Sequence, residues 1–160
     1  MSSNPIGIFD SGIGGLTIAN AIKEKLPNES IIYFGDTKHL PYGEKSEKAI
    51  KDYSLQIAKF LKNKNCKIII IACNSASSVA FNYIQNNISS IPIFNVIDPI
   101  INDLSAKNEN KKIGVIGTKA TINSNIYQKK INQKINSKVI SLETPLLAPM
   151  IEEGFFNQDI

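Results

Sequence analysis

The residue best placed for chemistry is Cys73. It follows Ile68-Ile69-Ile70-Ile71-Ala72, which reads as a central strand, and precedes Asn74-Ser75-Ala76-Ser77, which reads as a helix start. A thiol there lies at the positive end of a helix dipole, close to unpaired backbone N–H groups. The position therefore predicts a lowered pKa and a thiolate able to act as nucleophile or proton-transfer base. The competing reading is an inert interior cysteine, a common core residue; the polar residues on its exit side favour chemistry. Cys66 stands before the same strand among Asn and Lys, and reads as structural.

Three other strand exits carry small, polar or ionisable residues: Asp10-Ser11-Gly12, Gly35-Asp36-Thr37 and Gly117-Thr118. In open α/β sheets ligands bind beyond the carboxyl ends of strands, so four such exits together predict a functional rim. Taken alone, Asp10-Ser11-Gly12-Ile13-Gly14-Gly15 reads equally well as a helix cap and tight turn. It does not fit a phosphate cradle. Its glycine spacing is not G-x-G-x-x-G, no Gly-Lys-Ser/Thr follows, and Asp10 puts a negative charge where a pyrophosphate would lie. Asp36 could pass for a ribose-binding acid and keeps a dinucleotide site open as a minor alternative. His39, the only histidine, lies in Asp36-Thr37-Lys38-His39-Leu40-Pro41-Tyr42-Gly43 and reads as a solvated loop residue. Pro41-Tyr42-Gly43 is expected to stiffen a loop that closes over a ligand, offering backbone N–H groups and a phenol. No ligand set has metal-site spacing.

The elements that must hold these residues alternate regularly. Apolar, β-branched runs at 6–9, 31–34, 68–72, 93–96, 113–116 and 138–142 read as buried parallel strands. Between them, helical periodicity appears at 15–25, 45–62, 77–85, 98–106 and 120–133, with a further helix start over 145–154. A β-α-β-α rhythm of this kind predicts an α/β fold with a mostly parallel sheet and right-handed crossovers. Phe155 and Phe156 look like core residues without partners.

Composition narrows the function classes. A chain of 160 residues with 42% hydrophobic and 20% charged residues has globular values. The longest apolar run, Ile68 to Cys73, is far too short to span a bilayer, and no secretory leader is expected, so a cytoplasmic protein is the default. The net charge of +4 comes with 18 lysines and no arginine. Nucleic-acid readers rely on arginine for bidentate contacts, so nucleic acid is a poor candidate partner. Seven extended steps hold the Cα atoms of Cys66 and Cys73 about 20 Å apart, beyond disulfide reach. Two free thiols suit a reducing compartment.

Four motifs, in order and in register, carry a resemblance over nearly the whole chain. Phe9-Asp10-Ser11-Gly12-x-Gly14-Gly15, Gly35-Asp36-Thr37 with Pro41-Tyr42-Gly43, Ala72-Cys73-Asn74-Ser75-Ala76-Ser77, and Gly117-Thr118-x-Ala120-Thr121 resemble the glutamate racemases of the aspartate/glutamate racemase family. The family's usual Cys-Asn-Thr stands here as Cys73-Asn74-Ser75, which keeps a hydroxyl. The resemblance implies cofactor- and metal-independent interconversion of L- and D-glutamate by proton transfer between two cysteines, supplying D-glutamate for peptidoglycan. It implies Cys73 as one base and Asp10 as an assisting carboxylate that also touches substrate. Ser11, Pro41, Tyr42, Gly43, Asn74, Ser75, Thr118 and Thr121 then line the substrate pocket. It implies two similar α/β domains with the site between them: residues 1–97 as the first, and 98–160 as the beginning of the second. A homodimer is compatible with it. The family's second cysteine, in a Cys-Thr-His-like motif, is expected beyond residue 160, so these residues alone are expected to lack turnover. An aspartate racemase, or a non-catalytic module that binds an acidic ligand, are the alternatives.

Overall fold

The structure is a computed structural model, and it describes residues 3–104 and 110–155. Four strands, β1 (Ile6–Asp10), β2 (Ile31–Gly35), β3 (Ile68–Ile71) and β4 (Ile93–Asn95), form a sheet in the order β2-β1-β3-β4. Two more, β5 (Lys112–Gly117) and β6 (Lys138–Glu143), pair separately. Every pairing is parallel, as the apolar runs predict. The helices are α1 (Leu16–Lys25), α2 (Glu47–Asn63), α3 (Asn74–Asn87), α4 (Ile97–Asp103), α5 (Lys119–Asn123), α6 (Ile126–Lys134) and α7 (Leu147–Glu152), with a 3-10 turn at Tyr42–Glu44. Among the described residues no helix is long and apolar enough to cross a membrane.

Strand alternation sorts the larger sheet's side chains onto two faces. Ile6 and Ile8 pack with Ile18, Ala19 and Ile22 of α1. Phe9, Ile69 and Ile71 face the opposite layer, where Ile50, Ile57 and Leu61 of α2 meet Ala76, Ala80 and Ile84 of α3. Spacing of three, four and seven residues along α2 buries Ile50, Ser54, Ile57, Ala58 and Leu61 on one stripe, and Ser46 caps its start by accepting from Ala49 N–H. Gly7 sits close against this packing, since a Cβ there would lie 3.0 Å from Cys66 Sγ and 3.3 Å from Leu61 Cβ. Both cysteines are free and buried, as the strand between them predicts.

Among the described residues the smaller sheet is covered on one face, by Ile131 and Ile135 of α6 together with Ile97 and Ile101 of α4.

The single helix predicted over 120–133 is two. Asn125 adopts a left-handed backbone, φ 56°, between α5 and α6. The helix predicted from residue 77 begins at Asn74, because Cys73 supplies its cap. The helix predicted over 98–106 is α4, which ends at Asp103; residues 105 and 106 lie outside the described residues. Phe155 is 47% exposed, and Phe156 lies outside the described residues.

Candidate active site

Parallel pairing brings the exits of β1 and β3 side by side, with Phe9 opposite Ile71, so Asp10 and Cys73 come off adjacent strands at the same level. The two turns are fixed differently. Asp10 folds its own loop: its Oδ2 accepts from Gly12 N–H at 3.1 Å and from Gly15 N–H at 3.0 Å. The tight-turn reading of this segment is met, whereas α1 has Gly15 as its N-cap and no side-chain cap. Gly15 must be glycine, since a Cβ would sit 2.7 Å from Asp10 Cβ and 2.8 Å from Ala72 Cβ. Tyr33 clamps the same loop by donating to the Gly12 carbonyl at 3.0 Å.

Cys73 is the N-cap of α3. Its sulfur accepts from Ala76 N–H at 3.4 Å and lies 3.4 Å from Ser11 Oγ, as donor to it. The sequence predicts a lowered pKa; the structure has it raised. Burial pushes the thiol up first, and the nearby Asp10 carboxylate adds to it. The hydrogen bonding with Ser11 and Ala76 acts the other way but does not outweigh them. At neutral pH the resting group is a thiol. Burial also pushes the Cys66 thiol up.

These turns open on a cavity of about 710 Å³ whose lining includes Asp10, Ser11, Cys73, Asn74, Ser75 and Thr118. Six residues named from the sequence are thus brought together. Thr118 arrives from the smaller sheet: it caps α5, and its Oγ1 lies 2.9 Å from Ser75 Oγ. Thr121 is set behind it, 3.2 Å away between hydroxyl oxygens, and lines an adjoining cavity of about 260 Å³.

The Tyr42 phenol is placed otherwise than expected. Tyr42 is fully buried, and its phenol donates to Asp36 Oδ2 at 2.6 Å instead of facing a ligand. Burial, followed by that hydrogen bond and the Asp36 charge, drives its pKa well above the ordinary phenol range, so it stays a donor. Asp36 is a structural acid on this geometry, because His39 Nδ1 also lies 2.9 Å from its carboxylate oxygens. His39 is not freely solvated: its ring stacks on Tyr53 at 4.1 Å between centroids. Gly43 backs the site indirectly, for a Cβ there would lie 2.4 Å from Thr118 Cβ. Pro41 is exposed and outside the cavity lining, after a cis Leu40–Pro41 bond.

Sequence reading missed Glu152. Helix α7 returns it to the cavity wall. There burial, and then Asp10, hold its carboxyl above the usual range. A helix start was legible over 145–154, but no spacing signal says which of its residues comes back to the β1 exit. Phe94 and Ile100 extend the cavity into an apolar lobe that was equally invisible.

The arrangement offers an ionisable sulfur, a carboxylate at the exit of the adjacent strand, and hydroxyl and amide groups suited to an anionic ligand. Similarity to known proteins agrees with that chemistry. Glutamate racemase from Aquifex pyrophilus is 44% identical over 155 residues, covering 97% of this chain and 60% of that protein. Glutamate racemase from Neisseria meningitidis is 42% identical over 157 residues, covering 98% and 58%. The fold matches glutamate racemase from Francisella tularensis, solved in complex with D-glutamate, with a TM-score of 0.92 and 46% identity over 99% of this chain and 60% of that one. The chain thus spans about 60% of the length of these relatives. A model of the Asp/Glu/hydantoin racemase family matches residues 16–158, and the chain belongs to that family.

Proposed function

We propose that this chain carries one of the two proton-transfer groups of a cofactor-independent glutamate racemase, and that Cys73 is that group. The observation that carries the reading is the Cys73 sulfur at the cavity wall, with Ser11, Asn74, Ser75 and Thr118 around it as partners for carboxylates. In the step assigned to it, the Cys73 thiolate takes the Cα proton of one enantiomer and becomes a thiol, leaving the electron pair on the substrate as an enolate-like carbanion. The reverse step returns that proton. Inversion needs a second acid on the opposite face of Cα. Cys66, packed under Gly7, and His39, held by Asp36, lie outside the cavity lining, and the family resemblance implies that the second acid is a cysteine beyond residue 160. Burial and Asp10 hold Cys73 as a thiol at rest, and the substrate's α-ammonium supplies the positive charge that favours thiolate when the ligand is in place. Asp10, with Oδ2 tied to its own loop, is the assisting carboxylate. Residues 1–97 form the first domain and 98–160 begin the second. The product D-glutamate serves peptidoglycan synthesis in the cytoplasm.

The test is proton exchange at Cα in D2O, followed by NMR with each enantiomer of glutamate and the 160-residue chain. One enantiomer is expected to lose its Cα–H signal without inversion, and Cys73→Ser to abolish the exchange. Iodoacetamide is expected to label Cys73, which lines the cavity, slowly near neutral pH and faster as pH rises, with glutamate protecting it. No exchange, together with labelling that glutamate leaves unchanged, overturns the reading.

A further inference from the structure

Asn74, next to the reactive sulfur, is held from across the chain. Its side-chain Oδ1 accepts from the Tyr127 phenol at 2.6 Å, a contact between residues 53 positions apart. An amide has two different ends. With Oδ1 engaged by Tyr127, the geminal Nδ2 carries no hydrogen bond to any described residue, and Asn74 is exposed at the wall of the 710 Å³ cavity. Tyr127 reaches this place because the left-handed Asn125 breaks the helix just before it and starts α6 in a new direction. The ring itself packs against the core of the smaller sheet and lines the 260 Å³ cavity behind Asn74. Burial pushes the Tyr127 phenol above its ordinary pKa, so it remains protonated and can only keep donating across the neutral range.

We propose that Tyr127 is a positioning residue for the acidic ligand: by donating to Asn74 Oδ1 it fixes the amide so that Nδ2 is presented to the cavity as a hydrogen-bond donor for a carboxylate. An amide free to turn about its terminal bond would offer its oxygen to the ligand half the time, and an oxygen repels a carboxylate. The neighbouring Ser75 is held by Thr118 in the same manner, so both residues after Cys73 are oriented from the smaller sheet. This inference rests on the glutamate reading above.

The experiment is a double-mutant cycle in the full chain, with L- and D-glutamate as probes and calorimetry as readout. Tyr127→Phe keeps the ring and removes only the hydroxyl. It is expected to weaken glutamate binding roughly 5- to 20-fold, the loss of one hydrogen bond to a ligand-orienting group. Asn74→Ala is expected to weaken it at least as much, and the double variant no further than Asn74→Ala alone. A merely structural tyrosine would instead lower the unfolding midpoint and add its effect to that of Asn74→Ala. Unchanged affinity in Tyr127→Phe, or strict additivity, overturns the proposal. A second readout separates it from the glutamate reading: the Asn74 side-chain amide signals in a 15N-labelled chain without ligand, assigned by their loss in Asn74→Ala. They are expected to shift and broaden in Tyr127→Phe. If the wild-type chain binds neither enantiomer, the glutamate reading falls, and unchanged amide signals would overturn the positioning role on their own.

Discussion

The two sheets are made of the same residue types and meet opposite fates. In the larger one Ile69 and Ile71 are 0% exposed, because α1 lies on one face and α2 with α3 on the other. In the smaller one Ile116, Ile140 and Leu142 are 61%, 52% and 62% exposed, because α6 and α4 cover a single face. The sulfur and the Asp10 loop belong to the first environment. Thr118 and Tyr127, which reach over to Ser75 and Asn74, belong to the second. The Cys73 sulfur and the Asp10 loop thus sit on a tightly packed frame, and the neighbouring Asn74 and Ser75 receive polar contacts from a lightly packed one. Such an arrangement lets the second unit shift without disturbing the sulfur's own hydrogen bonds.

The comparison can be broken most forcefully by deleting equivalent carbon atoms in the two sheets. Ile71→Ala is expected to cost about 2–5 kcal/mol, the range for emptying a closed core site, whereas Ile140→Ala is expected to change stability by less than about 0.5 kcal/mol. Urea unfolding of both variants checks this; equal losses would mean that the exposed face is covered in solution. Next comes the seam. Gly43→Ala puts a methyl into Thr118, and overpacking of that kind is expected to cost about 1–3 kcal/mol. Hydrogen exchange should then speed up in α5 more than in β1 or β3.

A smaller effect should run the other way inside the well-packed unit. Ser54 Oγ is buried on α2 and has no hydrogen-bond partner among the described residues, so Ser54→Ala is expected to stabilise by about 1 kcal/mol. The smallest concerns the smaller unit's ion pair, Asp98 with Lys130 at 2.7 Å. Burial works against the Asp98 carboxylate, but hydrogen bonds from Lys130 and Asn95 hold its pKa below the ordinary 3.8. A carboxyl lowered in the folded state contributes above its unfolded pKa and loses that contribution as pH falls through its folded value. Both groups are about one-third exposed, so Asp98→Asn is expected to cost only a few tenths of a kcal/mol at pH 7 and nothing near pH 2, in thermal melts.

Fold class was legible because each strand is a short β-branched run closed by turn residues, and because burial on both faces needs no alternation. The split of the predicted 120–133 helix was not, since a left-handed asparagine has the same letter as any other asparagine. At the site, Asp10, Ser11, Cys73, Asn74, Ser75 and Thr118 could be named because strand exits are fixed by chain topology. The direction of the Tyr42 phenol was not legible, because it depends on Asp36, and buried partners six residues apart in a loop leave no periodic trace. The Cys73 thiol was misjudged for a related reason: the helix dipole can be read from sequence, but burial and the Asp10 charge depend on how two strands are aligned. Glu152 and Tyr127 come from the smaller unit, whose packing on the first no local pattern describes.

The register of β1 bears on how the protein is made. Ile6 pairs with Ile31 on one side and with Ile68 on the other, so the central strand is completed by a segment synthesised long after it. A chain leaving the ribosome can close β1 on β2 through the α1 crossover once residue 35 has emerged, but that β-α-β unit leaves the other edge of β1 and its α2-facing side uncovered. Until β3 arrives, the Asp10 turn has neither Ala72 against Gly15 nor a sulfur beside Ser11. The Cys73 thiol is therefore delivered by the same event that fills the sheet's middle, and this part of the cavity wall forms together with the core it stands on.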